Sequence, residues 1–248
     1  MLNEFSNTGH QVGGIFCRES GKNDAQWEAK GVEGGMGGAS HPPSPPRCVL
    51  VTGGTMRLGL AIANHLREKG WHVITTSHRP DALADIIADL TEPMGPARAY
   101  LAATQLNHNQ PLDAVINNAA LFQGPTETLQ ALNFTAPQKL TIFMAAHETG
   151  RGHVINILDA QCLDETAALS PYLQTKRDLL DYTHKSAALF EATLNVNAVA
   201  PGSILAPTNV HMSAALSPRG RPTSEAVAHA VAFLLESPFT TDCIIPVS

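Results

Sequence analysis

At 248 residues the chain has room for one medium α/β domain, or a smaller domain with a tail. Hydrophobic residues make up 44% and charged residues 15%, a balance that suits a large buried core. The 22 acidic and 16 basic residues leave a net charge of −6, which argues against the basic footprint of a nucleic-acid binder.

The four cysteines, Cys17, Cys48, Cys162 and Cys243, are scattered. None forms a C-x-x-C pair and no histidine stands at zinc-finger spacing, so no metal site is expected. A disulfide framework is not expected in a domain of this size, which favours a reducing, cytoplasmic setting. No basic stretch leads into an apolar signal region, and no apolar run approaches the roughly 18 residues of a membrane span.

Residues 1–46 hold nine of the 19 glycines and close on Pro42-Pro43-Ser44-Pro45-Pro46. Such a stretch buries too little apolar surface to offset chain entropy. It reads as a disordered tail, with a partner-binding arm as the alternative, and the domain follows over 47–248. Cys48–Thr52 is a short apolar run bounded like a buried parallel strand. Helix-spaced apolar residues follow from Leu58 to Lys69, and then a strand from His72 to Thr76. The pattern goes on as helix Ala82–Leu90, strand Ala97–Ala102, strand Ala114–Asn117, helix Thr126–His147 and strand Gly152–Leu158. It ends as helix Pro171–Phe190, strand Thr193–Ala198, helix Ser224–Leu235 and strand Cys243–Val247. Strand alternating with helix predicts right-handed crossovers and a single doubly wound parallel sheet of about seven strands flanked by helices.

The first strand–helix turn reads Thr52-Gly53-Gly54-Thr55-Met56-Arg57-Leu58-Gly59. Small residues there let the backbone approach a pyrophosphate, and the next helix offers it free N–H groups. A plain tight turn would also account for the glycines. The second strand runs into Ser77-His78-Arg79. An acid here would accept the ribose hydroxyls of NAD, whereas a base pairs with the 2′-phosphate of NADP, so NADPH is favoured. The alternative is a solvated loop.

Tyr172 and Lys176 stand four apart, so on a helix they share a face. An ammonium at that distance would lower the tyrosine pKa and let it exchange protons near neutrality.

Taken in order, Thr-Gly-x-x-x-x-x-Gly, Asn117-Asn118-Ala119-Ala120, Tyr-x-x-x-Lys and Pro201-Gly202 resemble the short-chain dehydrogenase/reductase family across about residues 48–248. The resemblance implies a Rossmann-type fold and an active site like that family's Asn-Ser-Tyr-Lys tetrad. Tyr172 would donate the proton, Lys176 would hold the nicotinamide ribose, and Asn133 would anchor a water behind the lysine. Asn118, Ala119 and Ala120 would line the adenosine side, and Pro201, Gly202 and Ser203 the carboxamide. A homodimer or homotetramer is also implied.

Two departures narrow the resemblance. Arg57 replaces the family's middle glycine, and Asp159 replaces the serine 13 residues before the tyrosine. Both are similar to the pteridine reductases and the dihydromonapterin or dihydrofolate reductases. In those enzymes an aromatic ring at the position of Phe122 stacks a pterin on nicotinamide. The implied substrate site is then Arg57, Phe122, Asp159 and Tyr172, with a pterin as the small-molecule partner; a carbonyl reductase of the same family and a non-catalytic NADPH-binding sensor or scaffold are the alternatives. For Asp159 a turn cap, and for Phe122 plain core packing, remain alternatives. The acid that the family places after its third strand, against adenine, is not evident in Ala103-Thr104-Gln105.

Overall fold

A computed structural model describes residues 46–80, 82–146, 151–203 and 222–248, together with the backbone of Phe16–Glu19. The sheet contains β1 (Phe16–Glu19), β2 (Cys48–Val51), β3 (His72–Ser77), β4 (Ile86–Ile87), β5 (Ala114–Asn117), β6 (Gly152–Ile157), β7 (Leu194–Pro201) and β8 (Thr240–Val247). Their order across it is β1-β8-β7-β6-β5-β2-β3-β4. Strands β2 to β8 form a seven-stranded parallel sheet, and β1 adds an antiparallel edge on β8. The chain runs outward from β2 to β4 and then crosses to β5 on the other side of β2. That reversal opens a crevice at the C-terminal ends of β2 and β5, where such sheets bind ligands.

Both faces of the sheet are covered, which is why its strands read as continuous apolar runs rather than alternating ones. Successive side chains still point to opposite faces. Val49, Val51, Ile116 and Ile155 meet α1 (Arg57–Glu68) and α6 (Ser224–Leu235) on one side. Leu50, Val115, Val154 and Val196 meet α2 (Gly95–Leu106) and α4 (Ala136–Ala145) on the other. The 19-residue α5 (Pro171–Leu189) lies over Leu158, Ala198 and Ala200.

Several sequence expectations are corrected. Residues expected as a strand at Ala97–Ala102 lie within α2. Gly95-Pro96 places proline in the first turn, and Pro96, Ala99, Tyr100 and Ala103 recur at helical spacing and are buried. The helix expected at Ala82–Leu90 does not form. Instead Ile86–Ile87 pairs with Thr76–Ser77, and Asp85 fastens that entry by accepting hydrogen bonds from Thr75 N and Oγ1, both 2.7 Å. The long helix from Thr126 is interrupted: α3 (Thr126–Gln130) passes into a π-helical turn, Ala131–Thr135, before α4. Within the expected tail, Phe16–Glu19 takes the edge-strand path; residues 1–15 and 20–45 lie outside the described residues. Cys48 and Cys162 are free and buried, while Cys243 is disulfide-bonded, against the expectation of reduced cysteines.

The turn between β2 and α1 has no spare volume. Gly53 has φ +62°, in the left-handed region that favours glycine. A Cβ on Gly59 would lie 2.1 Å from Gly53 O and 2.5 Å from Asn118 Nδ2. Gly59→Ala is therefore expected to cost about 1–3 kcal/mol by overpacking. Thermal denaturation should show Tm falling by several degrees; an unchanged Tm would show that the turn relaxes freely.

Candidate active site

A cleft of about 660 Å³ opens at the crevice. Its floor is stapled by Thr52, whose Oγ1 donates to Ile116 O and accepts from Asn118 N and Ala119 N at 2.9 and 3.0 Å. The Asn118 amide donates in turn to Thr52 O and Gly53 O, at 2.9 and 3.2 Å. The ends of β2 and β5 are thus locked together with the glycine turn between them. Gly53, Thr55, Leu58 and Gly59 line one wall, and Asn118, Ala119 and Ala120 the adjoining one. Pro201, Gly202 and Ser203 close the far end, with Gly202 N donating to Val247 O on β8.

The residues present fit a dinucleotide. Helix α1 starts at the cleft with no side chain capping it and no acid in its first turn, so its N–H groups and positive dipole end are left for an anion. Arg57 opens that helix at φ +48°, in the left-handed region, where an L-residue costs roughly 1–2 kcal/mol. This backbone geometry matches the glycine that the resemblance places here. Ser77, His78 and Arg79 all reach the cleft from the end of β3. Ser77 Oγ accepts from Arg79 N, and Arg79 Nη1 lies 3.6 Å from Met56 Sδ. Among the described residues, Ser77, His78 and Arg79 carry no acid at this strand end.

Asp89, Leu90 and Thr91 line the same part of the cleft and were missed by sequence reasoning. The third strand had been placed at 97–102, so the acid was sought at 103–105. The signal was the β-branched pair Ile86-Ile87, too short to stand out. The Asp89 carboxylate accepts from Thr91 Oγ1 and N at 2.6 and 2.9 Å, and those bonds hold its pKa below the usual carboxylate range.

Asp159, Tyr172 and Lys176 come together on the opposite wall. Ser170 caps α5 by accepting from Leu173 N, and Pro171 occupies its first turn, so the helix begins one residue before Tyr172. Tyr172 Oη donates to Asp159 Oδ2 at 3.1 Å, while Asp159 Oδ1 accepts from Gln161 N and caps the 3₁₀ turn Ala160–Leu163. Asp159 is therefore both a turn cap and the partner of the tyrosine.

The expected lowering of the tyrosine pKa is not found. Burial, followed by the Asp159 charge and hydrogen bond, pushes the phenol well above its ordinary value. Lys176 Nζ lies 5.9 Å from the ring centroid and does not reverse this. Tyr172 stands as a phenol, a proton donor. Lys176 is 3% exposed and donates to Ile157 O at 2.7 Å, leaving two N–H bonds. Burial pulls its pKa down to about 8, with Asp159 opposing.

Asn133, in the π-helical turn, sits behind the cleft. Its Oδ1 accepts from Leu121 N, and its Nδ2 donates to Leu121 O and Thr175 Oγ1, so the amide contacts the loop after β5 and helix α5, not Lys176. Phe122 is 69% exposed, which rules out core packing. Its ring centroid lies 4.8 Å from that of Tyr172, tilted by 58°, and Arg57 lines the same cleft. Among the described residues no group of three or more His, Cys, Asp or Glu could hold a metal, and no helix is long and apolar enough to cross a membrane.

The short chain dehydrogenase family matches residues 47–217. In Streptomyces violaceoruber, a protein named as ketoacyl reductase 2 of the granaticin polyketide synthase is 28% identical over 245 residues, covering 84% of this chain and 96% of that one. Among solved structures, FolM alternative dihydrofolate reductase 1 from Brucella canis, complexed with NADP, superposes with a TM-score of 0.71 at 24% identity, over 82% of this chain and 92% of that one. A blue fluorescent protein from a metagenomic library, in complex with NADPH, gives 0.74 at 24% identity, over 82% and 96%. The fold, the glycine turn and the Tyr172–Lys176 wall converge with these matches, and the chain belongs to the short-chain dehydrogenase family, as an oxidoreductase dependent on a nicotinamide cofactor.

Proposed function

We propose that this protein reduces a pterin ring, of the dihydropterin or dihydrofolate type, with NADPH. The observation that carries the reading is the Tyr172–Asp159 hydrogen bond of 3.1 Å. A serine at this position would offer a neutral hydroxyl to a substrate carbonyl; a carboxylate instead offers a proton carrier, suited to a ring nitrogen that gains a proton. When bound, the cofactor supplies the hydride that reduces a C=N bond. Gly53 and Gly59 would admit its pyrophosphate, Arg79 would pair with its 2′-phosphate, and Lys176 would hold its ribose through the N–H bonds that Ile157 leaves free. Tyr172 would give its Oη proton to the ring nitrogen, and a proton taken up from solvent by Asp159 Oδ2 would restore the phenol along the same hydrogen bond. Phe122 gives the flat ring an exposed aromatic face, and Arg57 offers a fork of donors to its electron-rich edge. The Brucella canis reductase, named for dihydrofolate, supports this reading.

The Streptomyces relative's name favours a second reading, reduction of a ketoacyl group. Asp159→Ser separates the two. Turnover of dihydrobiopterin is expected to fall about a hundredfold or more, in the range of a lost acid–base group, while reduction of an acetoacetyl thioester holds or rises. Equal loss on both substrates would contradict the pterin reading. Arg79→Ala is expected to raise KM for NADPH at least about tenfold, the worth of one charge-assisted bond, with KM for NADH unchanged.

The pH profile follows from Lys176. Its folded-state pKa is lowered, so the ammonium is present below about 8 and lost above it. In the free enzyme kcat/KM should fall as pH rises through about 8; a limb near 10.5, the ordinary lysine value, would show that burial does not tune it.

A further inference from the structure

Phe122 poses a positional problem. An aromatic side chain 69% exposed is not held by core packing, yet its ring lies 4.8 Å from Tyr172, with both rings on one cleft wall. What fixes their separation is polar and lies behind the rings. Leu121, next to Phe122, gives its N–H to Asn133 Oδ1 (2.9 Å) and accepts from Asn133 Nδ2 (2.8 Å). The second Nδ2 hydrogen goes to Thr175 Oγ1 at 3.1 Å, and Thr175 Oγ1 donates to Tyr172 O at 2.7 Å. A closed path therefore runs from the backbone beside Phe122 through Asn133 and Thr175 to the backbone of Tyr172. Asn133 and Thr175 are each 1% exposed, so water does not compete for these bonds. The π-helical turn at Ala131–Thr135 belongs to the same device, since it carries Asn133 to the loop.

We propose that Thr175 is a positioning residue that sets the Phe122–Tyr172 gap, and through it the fit of a flat ring substrate. Thr175 faces neither cofactor nor substrate: it is absent from the cleft lining and acts through Asn133 and the Tyr172 carbonyl. Its hydroxyl has a double duty that valine cannot perform and serine can. Without it, one Asn133 hydrogen is left buried and unpaired, and the hydrogen bond from the Asn133 amide to α5 is lost.

The substrate specificity in this inference rests on the pterin reading, so the test has two independent arms. In the kinetic arm, Thr175→Val is compared with wild type on dihydrobiopterin and on a small ketone, at saturating NADPH. KM for dihydrobiopterin should rise about tenfold, as expected of a misplaced but intact site, with kcat, KM for NADPH and ketone reduction much less affected. Thr175→Ser should restore the wild-type KM. Equal losses on both substrates, or no rescue by serine, would overturn the proposal. In the structural arm, a crystal structure of Thr175→Val should show the Phe122–Tyr172 centroid distance moved from 4.8 Å. If wild type leaves dihydrobiopterin untouched, the pterin reading fails alone and this distance still decides: an unchanged gap overturns the brace. Thr175→Ser serves as the folding control, and if valine unfolds the chain, Asn133→Asp, which keeps the shape but removes the donors to Leu121 O and Thr175, should widen the same gap; an unchanged gap would again overturn the brace.

Discussion

A buried phenol that donates to a carboxylate 3.1 Å away does not readily ionise, because burial disfavours the phenolate and Asp159 would set a second negative charge beside it. The Asp159–Tyr172 contact therefore fixes the protonation state on which the rest of the site depends. It keeps Tyr172 protonated at rest, and transfer of that proton then calls for its replacement through Asp159. It also gives Lys176 a task other than lowering the tyrosine pKa: a cation held by Ile157 O, close to Asp159, with its remaining donors available to the cleft.

The scaffold keeps that contact rigid by burying polar links beneath it. Asn117 and Asn156 stand opposite each other on β5 and β6 and share a 2.8 Å hydrogen bond; Asn156 passes to Thr183 on α5 at 2.9 Å, and Thr183 to Leu179 O. All three side chains are essentially inaccessible, and these hydrogen bonds are shielded from water, although Asn117 Oδ1 itself has no partner there. The helix that carries Tyr172 and Lys176 is thereby keyed to the strands that carry Asn118 and Asp159. The other end of the cleft depends on the absence of side chains, at Gly53 and Gly59, and on a left-handed Arg57.

Much of this was legible in the sequence because it is local. The glycine turn, the i,i+4 pair on α5 and the apolar runs of β2, β5 and β6 each carry their structural reason within a few residues. All the residues proposed for the site line the cleft except Asn133, which backs it. What failed was decided by distant partners. Ile86–Ile87 is a strand only because Thr76–Ser77 lies beside it. Residues 97–102, by contrast, are helical for a local reason, the Gly95-Pro96 start of α2. The strand expected there hid Asp89. The helical neighbour points to a lowered tyrosine pKa, whereas burial and then the carboxylate 13 positions upstream decide it. The π-helical turn leaves no periodic trace, since it shifts the helix by a single residue.

The most direct test of the account is the rate of NADPH oxidation by the wild-type protein with dihydrobiopterin and with an acetoacetyl thioester, side by side. The account predicts a higher kcat/KM for the pterin. A thioester that is turned over while the pterin is not would contradict it, and would make Asp159 a turn cap in a ketoacyl reductase.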